Sequence, residues 1–83
     1  MIKILSVAVI EGGLIELEFS NDYKGIFDLP DYLARHSGNL LEPLTDKSYV
    51  QRCFIDAGAL CWPNGLELSP SRLYELCLHS KAA

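Results

Sequence analysis

The chain has 83 residues, 49% of them hydrophobic, and a formal net charge of −4. That size suits one domain with a thin core, and the apolar share argues against disorder. The negative balance and the scatter of its 7 basic residues argue against a nucleic-acid-binding face, which needs clustered Lys and Arg.

The first half reads as strands. Residues 3–10 alternate, with Leu5, Val7 and Val9 on one face and Ile4, Ser6, Ala8 and Ile10 on the other. Both faces are apolar, which predicts a central strand. Glu11-Gly12-Gly13 is a turn signal. Over residues 14–20, Ile15, Leu17 and Phe19 point one way and Glu16 and Glu18 point to water. Ser20-Asn21-Asp22 makes the next turn, because Asn and Asp tolerate positive φ. A third strand over 23–28 completes an antiparallel meander.

The pattern then becomes helical. Pro30 suits a first helical position, Asp31 suits the first turn and His36 the C-terminal end, with Ser37-Gly38-Asn39 as the stop. A short helix or turn follows Pro43, over about 46–51, with Asp46 as its cap. Residues 53–57 and 59–62 flank Gly58 as a hairpin. In the string Cys61-Trp62-Pro63-Asn64-Gly65, Pro63 and Asn64 fill the middle of a type I turn and Gly65 takes positive φ. Leu66 and Leu68 then face one way and Glu67 the other. Ser69 caps the last helix and Pro70 opens it, with Leu73, Leu76 and Cys77 on one face. No internal repeat is visible. The whole reads as α+β: a three-stranded meander and a short hairpin, with one or two short helices and a C-terminal helix packed on the sheet, in a single domain over 1–83.

No apolar run approaches the roughly 18 residues that cross a membrane, and residues 1–5 lack the features of a signal peptide. A cytoplasmic protein is expected. Its cysteines, Cys53, Cys61 and Cys77, form no CxxC pair and no zinc spacing with His36 and His79, so they read as reduced core thiols. Cys77 and His79 lie two apart on a helix and point away from each other. Asp28 and Asp31 suit a helix start better than a metal, and Asp56 and Glu67 read as solvated. No phosphate loop occurs. The chain is expected not to be an enzyme, with no catalytic residue, metal or cofactor.

The segment EPLTDKSYVQRCFIDAGALCWPNGLELSPSRLYE, residues 42–75, resembles a small bacterial family known as domain of unknown function 2442. The matching residues are Phe19, Asp28 and Leu29 in the first half. In the second they are Pro43, Leu44 and Asp46, then Trp62 to Gly65, then Pro70, Leu73 and Tyr74. The likeness runs from about Lys3 to Glu75. It departs from the family pattern at Asp22, where glycine is usual, at Tyr49, where phenylalanine is usual, and at Glu67, where aspartate is usual.

The resemblance implies a small α+β fold. It also implies free-standing relatives beside another small protein, in an arrangement like a toxin–antitoxin pair, or relatives fused to a helix-turn-helix. This chain carries no helix-turn-helix through Ala83, so direct nucleic-acid reading is not expected of it. The expected role is a protein-interaction module that binds another protein or itself, with the antitoxin-like partner role as its sharper form. Two alternatives are a regulatory domain acting with a helix-turn-helix protein, and a small-molecule binder or enzyme with a pocket near Trp62. Candidate binding residues are Trp62, Asn64, Glu67 and Tyr74. The corner itself reads mainly as structure.

Overall fold

The computed structural model describes residues 1–79; the side chain of His79, considered above as a neighbour of Cys77, lies outside that description. Strands β1 (Ile4–Val9), β2 (Leu14–Phe19) and β3 (Lys24–Asp28) form an antiparallel meander in the order β1-β2-β3. β2 is the middle strand. Its inward residues Ile15, Leu17 and Phe19 are fully buried, while Glu16 is exposed, as the alternation predicts.

β1 corrects the expectation of a central strand. Its only strand partner is β2, so it is the edge of its sheet. The reason is a bulge: Ile4 pairs with Phe19 and Ser6 with Glu18, which leaves Leu5 as an extra residue. The bulge shifts the alternation, so Ile4 shares the inner side with Val7 and Val9, while Leu5 is 59% exposed.

Helix α1 (Leu29–Arg35) starts one residue before Pro30. Asp28 is the cap, and its Oδ1 accepts from the Asp31 N–H at 3.0 Å. At the other end, His36 Nδ1 donates to the Tyr32 carbonyl at 3.0 Å, since a carbonyl can only accept. The imidazole also stacks on the Tyr32 ring, with centroids 4.1 Å apart. After a 3-10 turn at Glu42–Thr45 comes α2 (Lys47–Val50), where Asp46 accepts from the Ser48 N–H at 3.0 Å, so the expected cap is in place.

Strands β4 (Phe54–Asp56), β5 (Ala59–Cys61) and β6 (Glu67–Leu68) form a second meander, in the order β4-β5-β6. The hairpin expected around Gly58 is thus extended by a short third strand. α3 (Pro70–His79) is the last element among the described residues, and Ser69 Oγ accepts from the Arg72 N–H at 3.2 Å. Leu73 and Cys77 are buried and Leu76 packs beside them, on the predicted face.

The absence of a repeat in the sequence does not carry over to the architecture. A three-stranded antiparallel meander followed by a helix occurs twice, as β1-β2-β3-α1 and β4-β5-β6-α3. The two copies share one core, which includes Ile4, Phe19 and Phe27 from the first and Leu60, Trp62 and Leu73 from the second. α3 of the second copy packs on β3 of the first at Gly25, where a Cβ would lie 2.8 Å from Cys77 Cβ. The tip of the β4–β5 hairpin meets the start of β1, where Ile4 donates its N–H to the Gly58 carbonyl at 2.9 Å. A Cβ at Gly58 would lie 2.8 Å from the Lys3 side chain.

Candidate functional site: the tryptophan corner and its surroundings

The corner between β5 and β6 is a three-residue hairpin loop. The Trp62 carbonyl accepts from Gly65 N–H at 3.1 Å, and Trp62 N–H donates to the Leu66 carbonyl at 3.0 Å. Gly65 sits at φ 93°, the left-handed position that this loop requires and that glycine fills without a Cβ penalty. The predicted turn is therefore present.

Trp62 is 1% exposed. Its indole N–H donates to the Val50 carbonyl at 3.3 Å, so the buried polar edge is satisfied. The ring fastens the corner to α2 and has no face left for a ligand. Asn64 is the organiser of the loop. Its Oδ1 accepts from the Leu66 N–H at 3.1 Å, and its Nδ2 donates to the Leu40 carbonyl at 3.0 Å. Its own N–H donates to the Tyr49 hydroxyl at 2.9 Å.

Glu67 is exposed on β6, opposite Cys61 on β5. Tyr74 lies at the other hairpin corner. Its ring makes edge contacts with Phe19 and Tyr23, with centroids at 5.2 and 5.4 Å, and its hydroxyl accepts from Asn21 Nδ2 at 3.1 Å. Trp62, Asn64 and Glu67 thus belong to one corner and its return strand, and Tyr74 is tied to another. Of the four, Glu67 presents the most open side chain. Tyr49, Asn21 and the Leu40 carbonyl complete the two corners. Sequence alone offers no signal for the last of these, a loop carbonyl 24 residues from its partner.

Several of the remaining chemistry-bearing groups are used within the fold. Asp31 pairs with Arg35, Oδ2 to Nε at 3.0 Å, one helical turn away. Burial pushes the Cys77 thiol up to about 11. Burial also raises the Cys53 and Cys61 thiols, and the carboxylates of Glu67 and Asp56 raise Cys61 further. All three are therefore protonated, weak nucleophiles at neutral pH. Among the described residues no group of three or more His, Cys, Asp or Glu is placed to hold a metal ion. No helix among them is long and apolar enough to cross a membrane.

A family model described as a protein of unknown function (DUF2442) matches residues 4–79. The chain belongs to this family. No curated protein and no solved structure matches it. Within the DUF2442 chain, the departures noted above acquire places. Asp22 stands at φ 70°, a left-handed position that suits the usual glycine. Tyr49 supplies the hydroxyl that receives the Asn64 N–H, a bond phenylalanine cannot make. Glu67 faces solvent, where the extra methylene meets no steric limit.

Proposed function

We propose that this chain is a protein-interaction module, the antitoxin-like partner of a small protein encoded beside it. The observation that supports the reading is where large apolar side chains stay outside the core. Leu5, at the bulge of β1, is 59% exposed, and Phe54, on β4, is 44% exposed. These two strands are edges of their sheets and touch each other. Exposed apolar groups on neighbouring edge strands are the kind of surface that another chain covers. The binding surface in this reading is the β1–β4 side and not the tryptophan corner, whose aromatic ring is already covered.

Co-expression with the product of the adjacent gene tests the proposal. The expected result is a stable complex that buries more than about 1,000 Å² in total. The chain eluting alone, at concentrations well above micromolar, counts against it.

A further inference from the structure

We propose that the cleft between the β1–β2 turn and α2 is a binding site for a free α-amino acid with an apolar side chain. The cleft has a volume of about 370 Å³, within the range of small-molecule sites, and lies between residues 9–13 on one wall and Lys47, Val50 and Gln51 on the other. Its apolar surface comes from Val9, Ile10 and Val50. Ile10 is 37% exposed and Val9 half-buried, so this surface is reachable. Gly12 and Gly13, at φ 82° and 77°, carry no side chains to fill the opening.

The polar groups are divided by charge. Glu11 stands on the turn wall, while Lys47 and Gln51, one helical turn apart, stand on the helix wall. Among the described residues, none of these three side chains has a hydrogen-bond or ion-pair partner within the chain. A ligand that satisfies both walls and the apolar surface between them carries an ammonium, a carboxylate and an apolar group close together. An α-amino acid has that composition: its carboxylate meets Lys47 and Gln51, its ammonium meets Glu11, and its side chain lies on Val9, Ile10 and Val50. The site is independent of the interaction reading, since neither Leu5 nor Phe54 lines it.

The chain reports on this cleft through its single tryptophan, whose indole N–H is bonded to the carbonyl of the cleft residue Val50. Titration of the full chain with L-leucine and L-phenylalanine is expected to give a saturable change in Trp62 emission and a rise in Tm. 4-Methylpentanoate and 3-methylbutylamine, which each lack one charged group, are expected to bind at least about ten-fold more weakly. Lys47→Met and Glu11→Gln are expected to weaken the amino acids by a similar factor while leaving the far-UV spectrum unchanged. No saturable change up to about 10 mM, equal binding of either half-analogue, or unaltered affinity in both variants overturns the proposal. The half-analogue comparison uses the unaltered chain, so it decides the matter even if a variant misfolds.

Discussion

Asn21 and Asn64 hold the same place in two hairpin corners with one hydrogen-bond pattern. In each loop the asparagine Oδ1 accepts from the backbone N–H two residues on, Tyr23 in one and Leu66 in the other, both at 3.1 Å. The residue before each loop bonds the residue after it: Phe19 N–H to the Tyr23 carbonyl, and Trp62 N–H to the Leu66 carbonyl. The third loop position is left-handed in both, at Asp22 and Gly65. Each asparagine spends its amide on a distant anchor, the Tyr74 hydroxyl or the Leu40 carbonyl.

The two asparagines therefore differ in weight. Asn64 is half-buried and Asn21 is exposed. Asn64→Ala removes both side-chain bonds and leaves the Leu66 N–H without its acceptor in a part-buried setting, at a cost of about 2–3 kcal/mol. Asn21→Ala costs about 1 kcal/mol, because water replaces the lost partners. Urea unfolding of the two variants measures the difference.

Tyr49→Phe restores the residue usual in the family but deletes the acceptor of the Asn64 N–H. The expected loss is about 1–2 kcal/mol, the cost of an unpaired part-buried donor. A midpoint equal to that of the unaltered chain, with the same m-value, contradicts the role given to the hydroxyl.

Asp22 at φ 70° and Ala57 at φ 52° carry side chains where the backbone favours glycine or asparagine. Ala57 and Gly58 form the two-residue tip of the β4–β5 hairpin, a loop in which Asn-Gly is the preferred pair. Ala57→Asn is expected to stabilise by about 0.5–1 kcal/mol. Asp22→Gly is expected to gain less than about 1 kcal/mol, because glycine also frees the unfolded chain. Thermal melts that show losses of that size instead contradict the left-handed geometry.

Gly25 is one of the points where the two halves touch. A Cβ there would lie 2.8 Å from Cys77 Cβ and 2.9 Å from Tyr23 Cε2. Gly25→Ala must push α3 away from β3, at a cost of about 1–3 kcal/mol for an overpacked contact. A neutral Gly25→Ala in denaturant unfolding shows that α3 is not seated as described.

Cys77 gives the alkaline limb of stability a direction. Its thiol pKa rises from 9.0 to about 11 on folding because burial disfavours the thiolate. Between these values the unfolded chain releases the proton and the folded chain keeps it, so stability falls as pH rises from 9 to 11. The stability present below pH 9 and lost by pH 11 amounts to roughly 2–3 kcal/mol. Cys77→Ala is expected to make that limb shallower, leaving the part due to the raised Cys53 and Cys61 thiols, as read by denaturation at each pH.

The sequence makes most local structure readable, and the reasons are local. Ser69 and Asp46 are short polar side chains placed just before helices, and each accepts the expected backbone bond; Asp28 does the same for α1, which starts one residue earlier than Pro30 suggests. The β2 alternation leaves no ambiguity between its faces. The edge position of β1 is not readable, because a single bulge residue, Leu5, makes one buried face look like two. The repeat of the meander is hidden for a related reason. The first copy has strands of 6, 6 and 5 residues and the second of 3, 3 and 2, so only the corners correspond. There Phe19-Ser20-Asn21-Asp22-Tyr23 and Trp62-Pro63-Asn64-Gly65-Leu66 share one identical residue, the asparagine. The tryptophan corner itself was legible as a turn. That Trp62 is inside depends on Val50, 12 residues earlier, which no local pattern reveals.

In the proposed interaction, recognition belongs to the β1–β4 side and the tryptophan corner is scaffold. That division is tested most directly by binding of the adjacent gene's product to three variants. Leu5→Glu and Phe54→Glu place charge on exposed positions and leave the core alone, whereas Trp62→Phe alters the corner and not the surface. The two glutamate variants are expected to fold with unchanged far-UV spectra and to lose at least about 2 kcal/mol of binding, as central interface residues do, while Trp62→Phe binds normally and is only less stable. Loss of binding confined to Trp62→Phe, with both glutamate variants unaffected, would contradict that division.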